Sequence, residues 1–148
     1  MKTNGRPRIL IVDDEEMILS SLRSFFSFET DYEIITFTSS QEAATYVEKE
    51  SIDLVISDFL MPELDGIAFL AKVKESQPMA TRVLLTGFAD KENAIKAINE
   101  VSIFQYIEKP WENTRLKLIV ENGLERSSLL KRMQEIAAVK MDLIKALI

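Results

Sequence analysis

Ile52-Asp53-Leu54-Val55-Ile56-Ser57-Asp58 is the stretch of sequence that decides the fold of this chain. Its apolar run is short and largely β-branched, which is typical of a strand that is buried on both faces of a sheet. The chain must turn shortly afterwards, because Pro62 and the pair Asp65-Gly66 follow. Asp58 therefore lies at the carboxyl end of a predicted strand, which is where open α/β sheets bind their ligands.

Apolar runs alternate with amphipathic stretches on both sides of this strand. We predict strands at residues 8–12, 33–37, 53–57, 82–86 and 103–107, and helices at about 15–28, 39–49, 65–75, 90–99 and from 110 onward. Asp90 is a predicted N-terminal cap, and Asp65 a predicted turn or cap residue. In the third helix Ile67, Leu70 and Ala71 are expected to face inward. Five strand-then-helix units favour a parallel sheet with helices on both faces.

The composition limits both the size of the protein and its chemistry. At 148 residues and 47% apolar, the chain can form one ordinary core, so we expect a single globular domain with a short appendage. Cysteine and histidine are both absent, which excludes disulfides, thiolate chemistry, imidazole bases and the usual zinc sites. Lys2, Arg6 and Arg8 precede only four apolar residues, too few for a signal peptide, so we expect a cytoplasmic location.

The net charge of −6 is unevenly distributed along the chain. Residues 126–148 contain five basic and two acidic side chains, so this segment carries +3 and residues 1–125 carry −9. An acidic body argues against recognition of a phosphate backbone. We therefore predict neither a nucleic-acid partner nor a membrane partner.

Polar side chains follow four of the five predicted strands. Asp13 and Asp14 come directly after the first strand, Asp58 after the third, Thr86 ends the fourth, and Lys109 follows the fifth. The carboxyl ends of parallel strands meet at one edge of a sheet, so we expect these side chains to lie together. Three carboxylates at close range repel one another at neutral pH unless their pKa values shift or a divalent cation binds.

Oxygen ligands without histidine or cysteine favour Mg²⁺. A carboxylate, a hydroxyl and an ammonium beside such a cation can receive a phosphoryl group, because one carboxylate attacks phosphorus while the positive charges offset those of the oxygens. Asp58 is the best candidate nucleophile, since it lies at the centre of the edge. Asp13 and Asp14 would then hold the metal.

These residues belong to motifs that follow one another in a set order. They are Asp13-Asp14, Asp58 with Met61-Pro62 and Asp65-Gly66, Leu84-Leu85-Thr86-Gly87, and Tyr106-Ile107-Glu108-Lys109-Pro110. Together they resemble the receiver domain of two-component response regulators, over residues 8 to about 125. The resemblance implies a flavodoxin-like receiver fold, which is a doubly wound five-stranded parallel sheet of strand order 2-1-3-4-5, and a receiver domain at residues 1–125.

The resemblance also implies roles for the residues at this edge. Asp58 would accept a phosphoryl group from a histidine kinase or a histidine phosphotransfer protein. Asp14 and Asp58 would bind Mg²⁺ directly, Asp13 would support it through water, and the backbone carbonyl of Leu60 would be a further ligand. Lys109 would contact the phosphoryl group.

Thr86 and Tyr106 resemble the switch pair of such receivers. In the family, movement of this pair remodels the face built from helix four, strand five and helix five, which controls an output module or a downstream signalling protein. The resemblance implies a regulatory domain rather than an enzyme, with the usual cis peptide at Lys109-Pro110. The motifs around Thr86 and Tyr106 resemble receivers that precede HD-GYP phosphodiesterase, kinase or cyclase outputs.

The last predicted helix continues beyond the receiver domain as an extension at residues 126–148. Gly123 is its weak point, costing about 1 kcal/mol relative to alanine. A stripe with the 3-4 spacing of a coiled-coil seam follows, formed by Leu129, Met133, Ile136, Lys140, Leu143 and Leu147. We interpret the extension as a linker or a dimerisation helix. A homodimer could form through it or through the face of helix four, strand five and helix five, and the alternative is that the stripe folds back onto its own domain.

Three other interpretations stay open. Asp13 and Asp14 could simply be carboxylates at the amino end of the first helix, where the helix dipole stabilises negative charge. A phosphohydrolase of the haloacid dehalogenase kind also uses Asp, Thr, Lys and Mg²⁺ on a parallel sheet, although it expects an Asp-x-Asp motif where this chain has Asp13-Asp14. A receiver-like scaffold that binds a partner without being phosphorylated is the third.

Leu60 and Phe88 correspond to the two positions that tune hydrolysis in such receivers, and both are apolar. Neither side chain can orient a water for in-line attack, so we predict slow autodephosphorylation. Leu60→Asn should raise the rate at which the phosphorylated protein loses its phosphoryl group, followed by intact mass over time. An unchanged rate in this variant would contradict the explanation.

Overall fold

The computed structural model describes residues 5–148. The first four residues of the predicted domain, which include Lys2, lie outside the described part. The strands are β1 Arg8–Val12, β2 Glu33–Phe37, β3 Leu54–Asp58, β4 Thr81–Thr86 and β5 Gln105–Glu108. The helices are α1 Glu16–Glu29, α2 Ser40–Lys49, α3 Gly66–Ser76, α4 Lys91–Val101 and α5 Asn113–Leu147, with a 3-10 turn at Phe88–Asp90 before α4.

The five strands form one parallel sheet in the order β2-β1-β3-β4-β5, which confirms the predicted fold class and strand order. Strands β1, β3 and β4 are buried along their whole length. Alternate strand residues enter two separate clusters. One is covered by α2, α3 and α4, and the other by α1 and α5. A central strand with a core on each face explains the continuous apolar runs in the sequence.

Local details differ from the sequence-based expectations at several elements. The fifth strand begins at Gln105 rather than Ile103, because Ser102 adopts a left-handed conformation and the Ile103 N–H still bonds the Ile98 carbonyl at the end of α4. The predicted Asp90 cap is wrong. Its backbone is helical (φ −102°, ψ 0°) rather than extended, and its side chain makes no capping hydrogen bond.

The inward face of α3 also differs from the prediction. The helix buries Gly66, Phe69, Leu70 and Val73, whereas Ala71 is exposed. The spacing of the buried residues is the regular i, i+3, i+4, i+7 pattern, and its phase is set by Gly66 at the first turn. Asp65 caps this helix as predicted, accepting a hydrogen bond from the Ala68 N–H at 2.8 Å.

Helix α5 runs unbroken for 35 residues. Gly123 does not interrupt it but is fully packed, since a Cβ there would lie 2.7 Å from Leu54 Cδ1. Beyond it the apolar members of the predicted stripe are between 47% and 87% exposed, so the stripe is not folded back onto its own domain. The boundary between residues 125 and 126 stays a prediction, and α5 crosses it without a change of conformation.

None of the helices between residues 5 and 148 combines the length and the apolar character needed to cross a membrane.

Gly66 brings the start of α3 against the end of β3. A Cβ at this position would lie 2.0 Å from the carbonyl oxygen of Asp58, a backbone atom that cannot give way. We expect Gly66→Ala to destabilise the protein by about 1–3 kcal/mol through overpacking, measured by urea unfolding. Gly87→Ala is the matched control, because its Cβ would meet nothing closer than 3.7 Å. Equal stabilities of the two variants would contradict the close contact at Gly66.

Candidate functional site

Asp13 and Asp14 follow β1 directly, at the carboxyl edge of the sheet. Asp13 is fully buried and Asp14 is exposed. The Asp13 side chain is held by its surroundings, because Oδ1 accepts a hydrogen bond from the Glu15 N–H at 2.9 Å. Its backbone N–H bonds the Phe37 carbonyl at 3.2 Å, which continues the pairing of β1 with β2 by one residue.

Asp58 is the last residue of β3 and is 7% exposed. The Phe59 N–H lies 2.9 Å from Asp58 Oδ1 and 2.9 Å from the Leu85 carbonyl, so it fixes the carboxylate against the end of β4. Gly66 contacts the backbone of Asp58 from the other side and bonds the Phe59 carbonyl through its N–H. Sequence reasoning treated Gly66 only as a turn residue, and the close approach could not be read from a local pattern.

Lys109 joins two of the carboxylates. Its Nζ lies 2.9 Å from Asp13 Oδ2 and 3.0 Å from Asp58 Oδ1, and its side chain is only 19% exposed. The Lys109 N–H bonds the Thr86 carbonyl at 2.9 Å, which holds the residue after β5 against the end of β4. Lys109 offsets the charge of both carboxylates, so its removal would leave Asp13 and Asp58 without compensation.

The electrostatics of the site follow from this crowding. Burial raises the pKa of Asp58 to about 6, and the negative charge of Asp13 adds to the rise, although Lys109 and the Phe59 N–H oppose it. Burial alone would lower the pKa of Lys109. Its hydrogen bonds to Asp13 and Asp58 outweigh burial, so the pKa of Lys109 is raised and the ammonium stays charged.

The other predicted residues lie along the same edge or beside it. Thr86 is fully buried at the end of β4, and its hydroxyl donates to the Gly87 carbonyl at 3.2 Å. Leu60, two residues after Asp58, is 57% exposed. Tyr106 lies on β5, opposite Leu84 of β4, and is partly buried.

One neighbour of Tyr106 was not predicted. The ammonium of Lys91, at the start of α4, lies 6.0 Å from the centre of the Tyr106 ring and 2.8 Å from Glu108 Oε1. Lys91 therefore joins the first turn of α4 to β5 beside the aromatic ring. Lys91 precedes Tyr106 by 15 residues and Glu108 by 17, so no local sequence pattern indicates these contacts.

Asp13, Asp14 and Asp58 could hold a metal ion, because one oxygen from each lies within 4.8 Å of the others. Three carboxylate oxygens with neither histidine nor cysteine in the chain form a donor set that fits Mg²⁺ better than Zn²⁺. The structure thus brings together Asp13, Asp14, Asp58 and Lys109, as the sequence predicted. Thr86 is the last residue of β4 and lies at the same edge of the sheet.

A doubly wound parallel sheet with three carboxylates and a partly buried lysine at its carboxyl edge defines the class of flavodoxin-like domains with an acidic, cation-competent site. Comparison with known proteins narrows this class to one family. Residues 9–121 match the response regulator receiver domain, and the chain belongs to that family. Phosphorylation and the use of Mg²⁺ are features of the family.

Relatives and solved structures agree with this assignment. The hydrogenase transcriptional regulatory protein HoxA of Cupriavidus necator is 32% identical over 121 residues, which are 82% of this chain and 25% of that protein. A signal receiver domain of an HD domain-containing protein from Pseudomonas fluorescens Pf-5 is 34% identical with a TM-score of 0.81, covering 89% of this chain and 96% of that one.

An adenylate cyclase structure from Rhodopirellula baltica is 28% identical with a TM-score of 0.83, and the match covers 90% of this chain and 98% of that one. The chain spans only about a quarter of the length of curated relatives such as HoxA.

The raised pKa of Asp58 predicts how metal binding depends on pH. Below about pH 6 the carboxyl is protonated and a cation must displace the proton, whereas above pH 6 the carboxylate is free to bind. We expect the affinity for Mg²⁺, measured by isothermal titration calorimetry, to fall as the pH is lowered from 7.5 to 5.5. Asp58→Asn removes the titrating group, so its weaker binding should vary less over this range. An affinity that is constant in the parent protein would contradict the raised pKa.

Proposed function

We propose that this chain is a receiver that accepts a phosphoryl group on Asp58 in a Mg²⁺-dependent reaction. The observation that carries the proposal is the position of Asp58 at the end of β3, with Lys109 Nζ at 3.0 Å and the oxygens of Asp13 and Asp14 within 4.8 Å. Family membership supports the reaction, and the site supports the choice of residue.

The phosphoryl donor in this proposal is a phosphohistidine on a histidine kinase or a histidine phosphotransfer protein. A carboxylate oxygen of Asp58 forms the new P–O bond, and the P–N bond to the donor imidazole breaks, so the leaving nitrogen takes up a proton. The ammonium of Lys109, 3.0 Å from the attacking carboxylate, offsets negative charge on the phosphoryl oxygens. A bound Mg²⁺ would supply further charge neutralisation at the same oxygens.

The proposed metal ligands are Asp14 and Asp58 directly, Asp13 through water, and the backbone carbonyl of Leu60. The exposure of Asp14 leaves that carboxylate open to a hydrated cation, whereas the buried Asp13 already bonds Lys109 and the Glu15 N–H. Mg²⁺ keeps several waters when it binds, so a site open to solvent on one side suits it.

We further propose Thr86 and Tyr106 as the residues that report phosphorylation. Leu85 pairs with Asp58 in the sheet register, and Thr86 is the next residue. Thr86 therefore lies at the same edge of the sheet as Asp58. Tyr106 is partly buried on β5, opposite Leu84 of β4, and the ammonium of Lys91 lies over its ring at 6.0 Å from the centre. Movement of either residue would alter the face formed by α4, β5 and α5.

The partners proposed for this face and for α5 are an output module, a downstream signalling protein or a second copy of the chain. HoxA is a transcriptional regulatory protein, and the Pseudomonas fluorescens receiver belongs to an HD domain-containing protein. The role proposed for this chain is regulatory rather than enzymatic, and it is supported by the receiver family and by the regulatory role of HoxA. The receiver itself is proposed to act in the cytoplasm and without binding nucleic acid.

The proposal predicts a covalent change at one residue. Incubation with acetyl phosphate or phosphoramidate and Mg²⁺ should increase the intact mass by one phosphoryl group, because both donors place an activated phosphorus beside Asp58. Asp58→Asn and addition of EDTA should each abolish the increase. Asp65→Asn is the control carboxylate, since asparagine also caps helices and should leave the increase unchanged.

Two results would contradict this assignment. A mass increase that survives Asp58→Asn would place the phosphoryl group elsewhere, and the absence of any adduct with either donor would favour a scaffold that is not phosphorylated. Steady turnover of a generic phosphate ester would instead favour the phosphohydrolase alternative.

A further inference from the structure

The edge of the sheet opposite the candidate site holds α5 through a second set of contacts. Thr81, the first residue of β4, donates its hydroxyl to the Gly123 carbonyl at 2.7 Å. Lys131 Nζ lies 2.7 Å from Oδ1 of Asp53, the residue before β3. Together with the fully buried Ser127, these residues are termed the basal anchor.

Asp53 is a buried carboxylate that the phosphoryl chemistry does not use. The residue is 5% exposed, and its Oδ2 accepts a hydrogen bond from the Arg8 N–H at 2.8 Å. A buried carboxylate requires a positive partner as well as hydrogen bonds. Lys131 supplies this charge from α5, 78 residues further along the chain.

Gly123 and Ser127 bring α5 close to the sheet before it reaches Lys131. A Cβ at Gly123 would lie 2.7 Å from Leu54 Cδ1 and 3.0 Å from Thr81 Cγ2, so any larger residue would require these side chains or α5 to shift. Positions 123, 127 and 131 are spaced by four residues and therefore lie on one face of the helix. Helix α5 is thus held against β3 and β4 over about two turns, from Gly123 to Lys131.

The apolar stripe of the extension lies on the other side of the helix. At about 100° per residue, Leu129, Met133 and Ile136 lie roughly opposite the face that carries Ser127 and Lys131. These three residues are 47%, 63% and 64% exposed. The contact of Lys131 with the body therefore determines which way the stripe points.

We propose that the basal anchor is a positioning device, in which Lys131 and Asp53 set the direction of the extension and keep its first turns helical. Helix nucleation is costly and most helical stability in proteins comes from packing, so the turns after Ser127 depend on a fixed starting point. The strands that hold the anchor carry Asp58 and Thr86 at their other ends. The device does not depend on phosphorylation of Asp58 and is tested without it.

The test measures the distance between the body and the extension. The chain contains no cysteine, so Glu48→Cys on α2 and Glu135→Cys on the extension would give two unique spin-label sites, both at exposed positions. Double electron–electron resonance on the full chain, diluted with unlabelled protein to suppress distances between copies, reports the mean distance and its spread.

We expect Lys131→Met to broaden the distance distribution roughly two-fold, because the turns after Ser127 lose their contact and open more often. Lys131→Arg should restore the narrow distribution, since it keeps the charge. Lys145→Met is the matched control, since Lys145 is an exposed lysine on the same helix that makes no hydrogen bond or ion pair within residues 5–148. Amide NMR spectra whose changes are confined to residues 123–148 and to their contacts at Arg8, Asp53, Leu54 and Thr81 would show that each variant retains a folded body.

Gly123→Ala provides a second variant that acts at a different point of the anchor. The added methyl group should push α5 away from Leu54 and shift the mean distance. Distributions that are equal in the parent, Lys131→Met and Gly123→Ala would overturn the proposal. Equal broadening by Lys131→Met and Lys145→Met would also overturn it, because the effect would then follow from charge alone.

Discussion

Strand β3 is buried from its first residue to its last, and the rest of the structure is arranged around the two carboxylates at its ends. A buried carboxylate is stable only with a positive partner and hydrogen bonds. Asp58 at the carboxyl end has Lys109 at 3.0 Å, and Asp53 before the amino end has Lys131 at 2.7 Å. Each ion pair joins a distant part of the chain to the central strand, so burial of β3 constrains β5 and α5 as well.

The residues at the carboxyl edge could be predicted from the sequence because each depends only on the local pattern that marks the end of its own strand. Short β-branched runs define the strands, and parallel strands bring their carboxyl ends to one side. Asp13, Asp58 and Lys109 each lie within two residues of a strand end, so an error of one residue in a strand boundary did not move them elsewhere. The chemistry of these groups already indicated Asp58 as the nucleophile and Asp13 and Asp14 as the metal-holding pair. The phosphoryl donor, the Leu60 ligand and the switch pair came from family resemblance.

The features that the sequence did not reveal depend on contacts between distant elements. Gly123 was interpreted as a weak point of a helix, but the deciding fact is the position of Leu54 Cδ1 across the interface. Asp53 was predicted only as a strand residue, because its partner comes 78 residues later. Ala71 was predicted to face inward, but the phase of α3 is set by the close approach of Gly66 to the backbone of Asp58, which turns Phe69 and Val73 inward instead.

The two lysine–carboxylate pairs differ in what can compete for the carboxylate. Asp58 and Asp13 share Lys109 but also belong, with Asp14, to a group of oxygens that could hold a cation, so a metal or a phosphoryl group would redistribute these contacts. At Asp53 the second oxygen already accepts the Arg8 N–H, and Asp53 is not a member of that cation-competent group. The ion pairs at the carboxyl edge can therefore rearrange when a ligand binds, whereas the contacts of Asp53 at the amino edge stay the same. Because α5 is fixed at the amino edge, the extension keeps its position when the carboxyl edge rearranges. Any movement of α4 and β5 therefore changes their position relative to the extension.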